Sequence, residues 1–394
     1  MNGQNETFDV VIVGGGVMGS SVAYHLKTLD ARLSVLVLER DPNYTTASST
    51  LSVSSIRQQF SAPVNMALSR NSFAFLREAA DRLQVDGDRP DVALQERAYL
   101  QLASPAGADG LRAMNAVQRA HGGDIALLEP DDLARRFPWL SIDSIGAGNL
   151  GLRGEGWFDG YSLLQALRRK ARALGVEYRK AEAVSLRREG ERIASVGCAD
   201  GSTVACGMLV NAAGPHAARV ADMAGFALPV HPERHCVFVF DCKTPIPDCP
   251  LVIDPSGIYF RPEGKGFLAG APPRDAHAPE NRTLEIDHAQ FEDVLWPALA
   301  ARVPAFEAIR QTAVWAGFYE MNSFDHNAII GRAPGLANML LVNGFSGHGI
   351  QQSPAAGLAL AELMVHGAYR TLDVGELGYE RIAQNRPVRE LIVI

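Results

Sequence analysis

The 394-residue chain is short of several things that would define other classes of protein. Charged residues make up 21% of it, and its net charge of −7, from 37 Lys and Arg against 44 Asp and Glu, includes no basic tract to follow a phosphate backbone. Nucleic acid is therefore not an expected partner. The five cysteines, Cys198, Cys206, Cys236, Cys242 and Cys249, contain no C-x-x-C pair and have no His-rich cluster beside them. That pattern fits reduced thiols in a cytosolic protein and gives neither a disulfide framework nor a metal site. No apolar run reaches spanning length, and the N-terminal stretch MNGQNETFDV has neither a positive nor an apolar leader region. The expected location is the cytoplasm, at most peripheral to a membrane.

What the chain has is concentrated in FDVVIVGGGVMGSSVAYHLKTLDARLSVLVLE, residues 8–39. An apolar strand, Val10 to Val13, runs into Gly14, Gly16 and Gly19 at G-x-G-x-x-G spacing, with Val17 and Met18 between the last two. A helical pattern follows, then a second apolar strand from Val35, ended by Glu39 twenty positions after Gly19. One glycine permits the tight turn, one lets backbone approach a pyrophosphate, and one lets helix and strand pack closely. The helix start offers unpaired N–H groups to phosphate, and Glu39 offers acceptors to a ribose diol. Strand, glycines, helix, strand and acid in this order predict an adenine dinucleotide site.

Organisation beyond this unit is mixed. After a Ser/Thr-rich segment, helical spacing places Met66, Leu68, Phe73, Phe75, Leu76 and Leu83 on a buried face. The spacing predicts a strand at Tyr99–Ala103, a helix near 106–121, a short helix begun by Glu129 and Pro130, and an amphipathic helix over Tyr161–Leu174. Short β-patterned segments fall at 177–178, 183–187, 193–196 and 208–210, the last leading into NAAGPHAARVADMAG. Residues 226–310 turn β-rich and proline-rich. A strand at Met339–Val342, the loop NGFSGHG and a helix capped by Ser353 with Pro354 as its first residue complete the chain. The expected architecture is α/β with an α+β portion. A Rossmann-type dinucleotide-binding domain is built from 1–88, 151–226 and 312–394, and a β-rich substrate domain, 89–150 and 227–311, is inserted in two segments.

A second glycine-rich strand–loop–helix more than three hundred residues after the first resembles FAD-dependent oxidoreductases of the D-amino-acid oxidase superfamily. The motifs are GGGVMGSSVAYHL (14–26), VLVLER (35–40), NAAGPHAARVADMAG (211–225), HNAIIGRAP (326–334) and GFSGHG (344–349). Within that superfamily the chain is similar to sarcosine oxidases, dimethylglycine and sarcosine dehydrogenases and dye-linked proline dehydrogenases. IRQQFSAPVNMALSRNS (56–72) carries the proline dehydrogenase likeness. EGWFDGYSLLQALRRK (155–170) and WAGFYEMNSFDHNAIIG (315–331) carry a likeness to a mitochondrial branch linked to assembly of a respiratory complex.

The resemblance implies FAD as cofactor, with Gly14, Gly16, Gly19, Glu39 and Arg40 around its ADP half and Ser48 and Ser49 at the pyrophosphate. It implies adenine against the backbone of Val184 and the small residues Ala213 and Gly214 against the cofactor. Gly344, Gly347, His348, Gly349 and Ile350 would close over the flavin end, where loop N–H groups and the helix start favour an anionic reduced flavin. An amino-acid substrate needs a guanidinium fork for its carboxylate. Arg57 is the first candidate, at the position of the substrate arginine of sarcosine oxidases. Arg261, with Tyr259 close by, is the second, and His348 is a candidate for proton handling.

Three positions depart from the sarcosine oxidases. Gly317 replaces the cysteine that tethers flavin, and residues 45–57 hold no histidine for the alternative tether, so FAD is expected to bind non-covalently. The apolar segment GFLAG (266–270) replaces the lysine that activates oxygen, and Gln351 replaces a substrate lysine. These losses favour a dehydrogenase passing electrons to another protein or a quinone. The expected activity is oxidation of the C–N bond of a small amine: a secondary or N-methylated amino acid such as sarcosine, dimethylglycine, proline or an opine. A flavin-binding assembly factor for a partner complex is the alternative.

Overall fold

The computed structural model describes residues 6–275 and 282–390; residues 1–5, part of the stretch read above for a leader, lie outside them. Its first sheet runs in the order Ile329–Arg332, Met339–Asn343, Thr203–Asn211, Glu6–Val13, Val35–Glu39, Glu177–Lys180. The last five strands are parallel, and Ile329–Arg332 closes one edge antiparallel. Parallel strands joined by crossovers are covered on both faces, and the alternation along them divides accordingly. Val10, Ile12, Val35, Val37 and Val210 face one core; Val11, Val13, Leu36, Leu38 and Leu209 face the other. Four helices cover the first face: Val17–Leu29, Pro63–Arg77, Gly160–Ala173 and Gly349–His366. Met66, Leu68, Phe73, Phe75, Leu76 and Leu83 are buried, as their spacing predicts. The other face takes the helix Ala217–Ala224 and the antiparallel strands Ala183–Glu189 and Arg192–Cys198.

The second sheet has the order Ile309–Asn322, Val230–Cys242, Gly266–Gly270, Tyr259–Glu263, Leu251–Ile253, Tyr99–Ala103, Ala147–Gly151, Ile125–Leu128. Its long ribbon pairs Val230 with Asn322 and Cys242 with Ile309. The expected division between 311 and 312 falls inside this ribbon strand, and that between 150 and 151 at the end of Ala147–Gly151. A separate core of Phe238, Phe240, Phe260, Phe291 and Phe306 lies on one face of this sheet.

One helix start is corrected. The last long helix begins at Gly349 with His348 as N-cap, which puts Ser353 and Pro354 inside it. A proline within a helix removes an N–H and costs about 3 kcal/mol. Here the carbonyl of Ile350, which the residue at 354 would ordinarily serve, accepts the Ser353 hydroxyl at 3.0 Å instead. The pair that reads as a cap is a proline and the side chain that compensates for it. Among the described residues no helix is long and apolar enough to cross a membrane.

Candidate active site

Between the two sheets lies a cavity of about 380 Å3, running from the turn after the first strand to the long ribbon. Its near end is built from residues 13–53. Gly14, at φ +100°, fits against the backbone of Ala212, where a Cβ would stand 2.3 Å from the carbonyl oxygen. A Cβ on Gly19 would stand 1.9 Å from the Gly14 oxygen. These two glycines hold helix and strand together, while Gly16 lines the cavity as N-cap of the helix. Glu39 is anchored through both oxygens, Oε2 accepting from Gly15 N–H and Oε1 from Asp41 N–H, each at 2.8 Å. Burial raises its pKa against those two bonds.

Around this turn, polar groups face the cavity without protein partners. The Ser49 hydroxyl accepts the Val17 N–H at 3.1 Å and ties its loop to the helix start. The buried hydroxyls of Tyr44 and Ser48 have no partner among the described residues, and both residues line the cavity. Tyr44 sits in the left-handed region at φ +57°, a conformation costly for an aromatic residue and kept where surroundings over-determine it. Arg40 and Arg219 add positive charge, with His216 beside them. Burial, and after it the two arginines, lowers the His216 pKa to about 4, so its imidazole is neutral. Unsatisfied donors, a helix start and two guanidinium groups at one end of an elongated cavity fit a pyrophosphate-bridged dinucleotide.

The far end is aromatic. Tyr259 and Tyr319 line it, with His235 stacked on Tyr319 at 3.8 Å between ring centres and held by Glu233 at 3.0 Å. Burial raises the Tyr319 hydroxyl to about 12 and that of Tyr259 well above its ordinary value, so both remain neutral. Gly347, Gly349 and Ile350 close this end. Gly347, at φ +92°, lies flat on Tyr319, where a Cβ would come within 2.5 Å of the ring.

Arg57 is buried behind these tyrosines. Nη1 approaches the Tyr99 hydroxyl at 3.4 Å, Nη2 meets His348 Nε2 at 3.1 Å, and the guanidinium lies 4.7 Å from the Phe60 ring centre. Its Nε has no partner, and no carboxylate forms an ion pair with it among the described residues. Burial and then the Arg57 charge hold the His348 pKa well below its usual value. Neutral His348 therefore accepts from Arg57 through Nε2, which commits that lone pair. Glu155, wholly buried, accepts Gln58 N–H at 2.6 Å and Gln59 Nε2 at 2.8 Å; burial raises it to about 7.

The expected site residues thus divide. Gly14, Gly16, Val17, Met18, Glu39, Arg40, Ser48, Ser49, Ala213, Gly214, Tyr259, Gly317, Gly347, Gly349 and Ile350 all line the cavity. Gly19 supports it from behind. Val184 does not line it: its side chain is exposed, and Ala181, Glu182 and Ala183 form the wall there. Gly344 lies outside the lining with φ +69°. Arg261 is committed elsewhere, paired with Glu263, donating to Val53 O and Pro262 O at 2.9 Å each, and stacked on Trp157. Gln351 faces away, its Oε1 accepting the Arg57 backbone N–H at 2.8 Å, which makes it a strut for that segment. Sequence reasoning missed Tyr44, His216, Arg219, His235, Tyr319 and Glu320. Of these, Tyr319 and Glu320 stand within three residues of Gly317, and alternation along the strand was the available signal.

A Rossmann-type nucleotide domain with a β-sheet domain over the far end of its cleft defines a dinucleotide-dependent oxidoreductase. The family model for FAD dependent oxidoreductases (DAO) matches residues 9–363, and the chain belongs to that family. It is 40% identical to the FAD-dependent oxidoreductase domain-containing protein 1 of Xenopus laevis, over 99% of this chain and 85% of that protein. It is 27% identical to the sarcosine oxidase subunit beta of Rhizobium meliloti, over 92% and 85%. The fold matches the crystal structure of L-proline dehydrogenase from P. horikoshii at a TM-score of 0.86 and 23% identity, covering 98% of this chain and all of that one. FAD is the cofactor of the family, and the groups lining the cavity fit it.

Proposed function

We propose that this protein oxidises the C–N bond of a small amine that also carries a carboxylate, a secondary or N-methylated amino acid. The observation that carries the reading is Arg57, a buried guanidinium that forms no ion pair with a carboxylate among the described residues and lies beside three neutral tyrosines. Burying such a charge unpaired is costly, and a planar carboxylate matches its fork. Relatives named sarcosine oxidase and dimethylglycine dehydrogenase support the same chemistry.

FAD, when bound, supplies the two-electron oxidant. Arg57 takes the substrate carboxylate, His348 holds its guanidinium and Gln351 its backbone N–H, and the rings of Tyr99, Tyr259 and Tyr319 exclude water. The His348 lone pair is engaged by Arg57, so the amine enters already deprotonated rather than passing its proton to that histidine. The CH–NH donor loses two electrons and two protons to give an imine, and water hydrolyses the imine to a carbonyl compound and a smaller amine. Among the described residues no lysine lines the cavity, and GFLAG is wholly buried. Both features support a dehydrogenase that hands electrons to a protein or a quinone.

The test is anaerobic mixing of the yellow protein with sarcosine, dimethylglycine, proline or an opine. Loss of flavin absorbance near its visible maximum with one of them supports the proposal. Flavin that stays oxidised with every one supports instead a flavin-binding protein that assists a partner complex. Bleaching followed by slow recolouring in air, accelerated by a quinone analogue, is the result expected for a dehydrogenase.

A further inference from the structure

The far end of the cavity carries one acid that the proposed chemistry does not use. Glu320 follows Tyr319 on the strand Ile309–Asn322 and lines the cavity. Its backbone is fixed on both sides, in register with Pro232 across the ribbon and accepting Ser346 N–H at 3.1 Å through its carbonyl. The carboxyl consequently lies between the two glycine-bearing turns. A Cβ on Gly349 would stand 3.3 Å from Oε1, and one on Gly214 would stand 3.9 Å from Oε2.

The two oxygens differ. The backbone N–H groups of Gly344 and Phe345 lie close enough to the carboxyl to favour its charged form, while Oε2 is shut off from solvent and has no partner among the described residues. Other titratable groups on the packed elements are Tyr319 on the same strand, His231, Glu233 and His235 on the paired strand, His348 on the loop, and His216 and Arg219 beyond Gly214. Glu233 is occupied by His235 and His348 by Arg57. Burial, opposed by the two loop N–H groups, raises Glu320 to about 8. A neutral carboxylic acid has one O–H to donate, and an uncommitted polar atom out of water is costly until something bonds it.

We propose that Glu320 is a cofactor-contacting residue, a neutral acid that donates a hydrogen bond from Oε2 to an acceptor atom on the flavin half of bound FAD. The carboxyl stays beside the loop backbone of Gly344 and Phe345, so one side chain links the 344–349 loop to the cofactor. Negative charge grows on the acceptor atoms of a flavin as it is reduced. A donor aimed at them favours the reduced state, and a carboxylate in its place opposes it. Binding favours the protonated form of Glu320. FAD affinity is therefore full below about pH 8 and falls as pH rises through the value of the free protein.

The experiment is FAD titration of the full-length apoprotein by flavin fluorescence between about pH 6 and 10 for wild type, Glu320→Gln and Glu320→Ala, with dye-equilibrated reduction potentials of the three holoproteins. In wild type, Kd is expected flat at low pH and rising above about 8 by up to about tenfold per pH unit. Glu320→Gln keeps a donor and an acceptor, so it should retain the low-pH affinity and lose the dependence. Glu320→Ala should bind roughly tenfold more weakly at pH 7 and show a lower potential. Wild-type affinity and potential in Glu320→Ala, or an unchanged pH profile in Glu320→Gln, overturns the proposal. If Glu320→Ala does not fold, the Glu320→Gln profile decides alone.

Discussion

The two ends of the cavity are made in opposite ways. At the near end, the glycine turn, Glu39, Tyr44, Ser48 and Ser49 come from about forty consecutive residues and present backbone, hydroxyl and carboxylate groups. At the far end, His235, Tyr259, Tyr319 and Gly347 line the cavity and Arg57 and Tyr99 are buried behind them, six residues from six separate segments. The ribbon register, which sets His235 opposite Gly317 and Glu233 opposite Tyr319, brings several of them together. The near end answers to a ligand that does not vary, so one rigid local unit suffices. The far end answers to a substrate, and each of its walls can change without disturbing the turn that holds the dinucleotide. This is the division expected where one scaffold serves many donors.

The largest effect that separates the ends belongs to Gly19. An alanine Cβ there would stand 1.9 Å from a backbone oxygen, so the helix must lift off the strand and take its N–H groups with it. We expect Gly19→Ala to lose roughly 1–3 kcal/mol of stability, as for other overpacked sites, and to purify without colour. A Gly19→Ala protein that retains stoichiometric FAD would show that the near end is less rigid than argued.

Next come the two arginines, alike in burial and opposite in commitment. Arg57→Met should raise KM by about 100-fold or more, the order expected when a charge-assisted pair is removed, while FAD stays bound. Arg261→Met should leave KM within about threefold but lower the melting temperature, because Val53 O and Pro262 O lose their donor at roughly 1–3 kcal/mol. Steady-state kinetics and thermal melts on both variants distinguish the roles. Equal KM effects would mean that Arg261, and not Arg57 alone, meets substrate.

What the amino-acid sequence makes legible follows the same division. The unit from Val10 to Glu39 was legible because every constraint on it is local: apolar run, glycine spacing, helical period, acid. The strand at Tyr99–Ala103 and the helix after Asp159, whose carboxylate accepts Ser162 N–H at 2.9 Å, were legible for the same reason. Arg261 was not, because its fate is set by Glu263, Val53 and Trp157, which spacing cannot align. Tyr44 was hidden by its left-handed backbone in a loop without glycine. Ser353 and Pro354 misled because a compensated proline has the same local spelling as a helix start. Val184 stands one residue beyond the wall residue Ala183, the step at which strand alternation exchanges wall for surface.

The finest division lies inside the near end, between two adjacent serines. Ser49 gives its hydroxyl to Val17 N–H, so it acts on the helix and only through it on the ligand. The Ser48 hydroxyl is buried with no partner among the described residues, in a residue that lines the cavity, so it is the one left free to meet the ligand. Ser48→Ala should weaken FAD binding by about three- to tenfold, one ordinary hydrogen bond, with the melting temperature of the apoprotein unchanged. Ser49→Ala should cost about 1 kcal/mol of apoprotein stability, as for a lost helix cap, and move Kd less. FAD titrations and apoprotein melts separate them. If Ser49→Ala loses more affinity than Ser48→Ala at equal stability, the hydroxyl on the helix start is the one that reaches phosphate, and the loop must turn over when FAD binds.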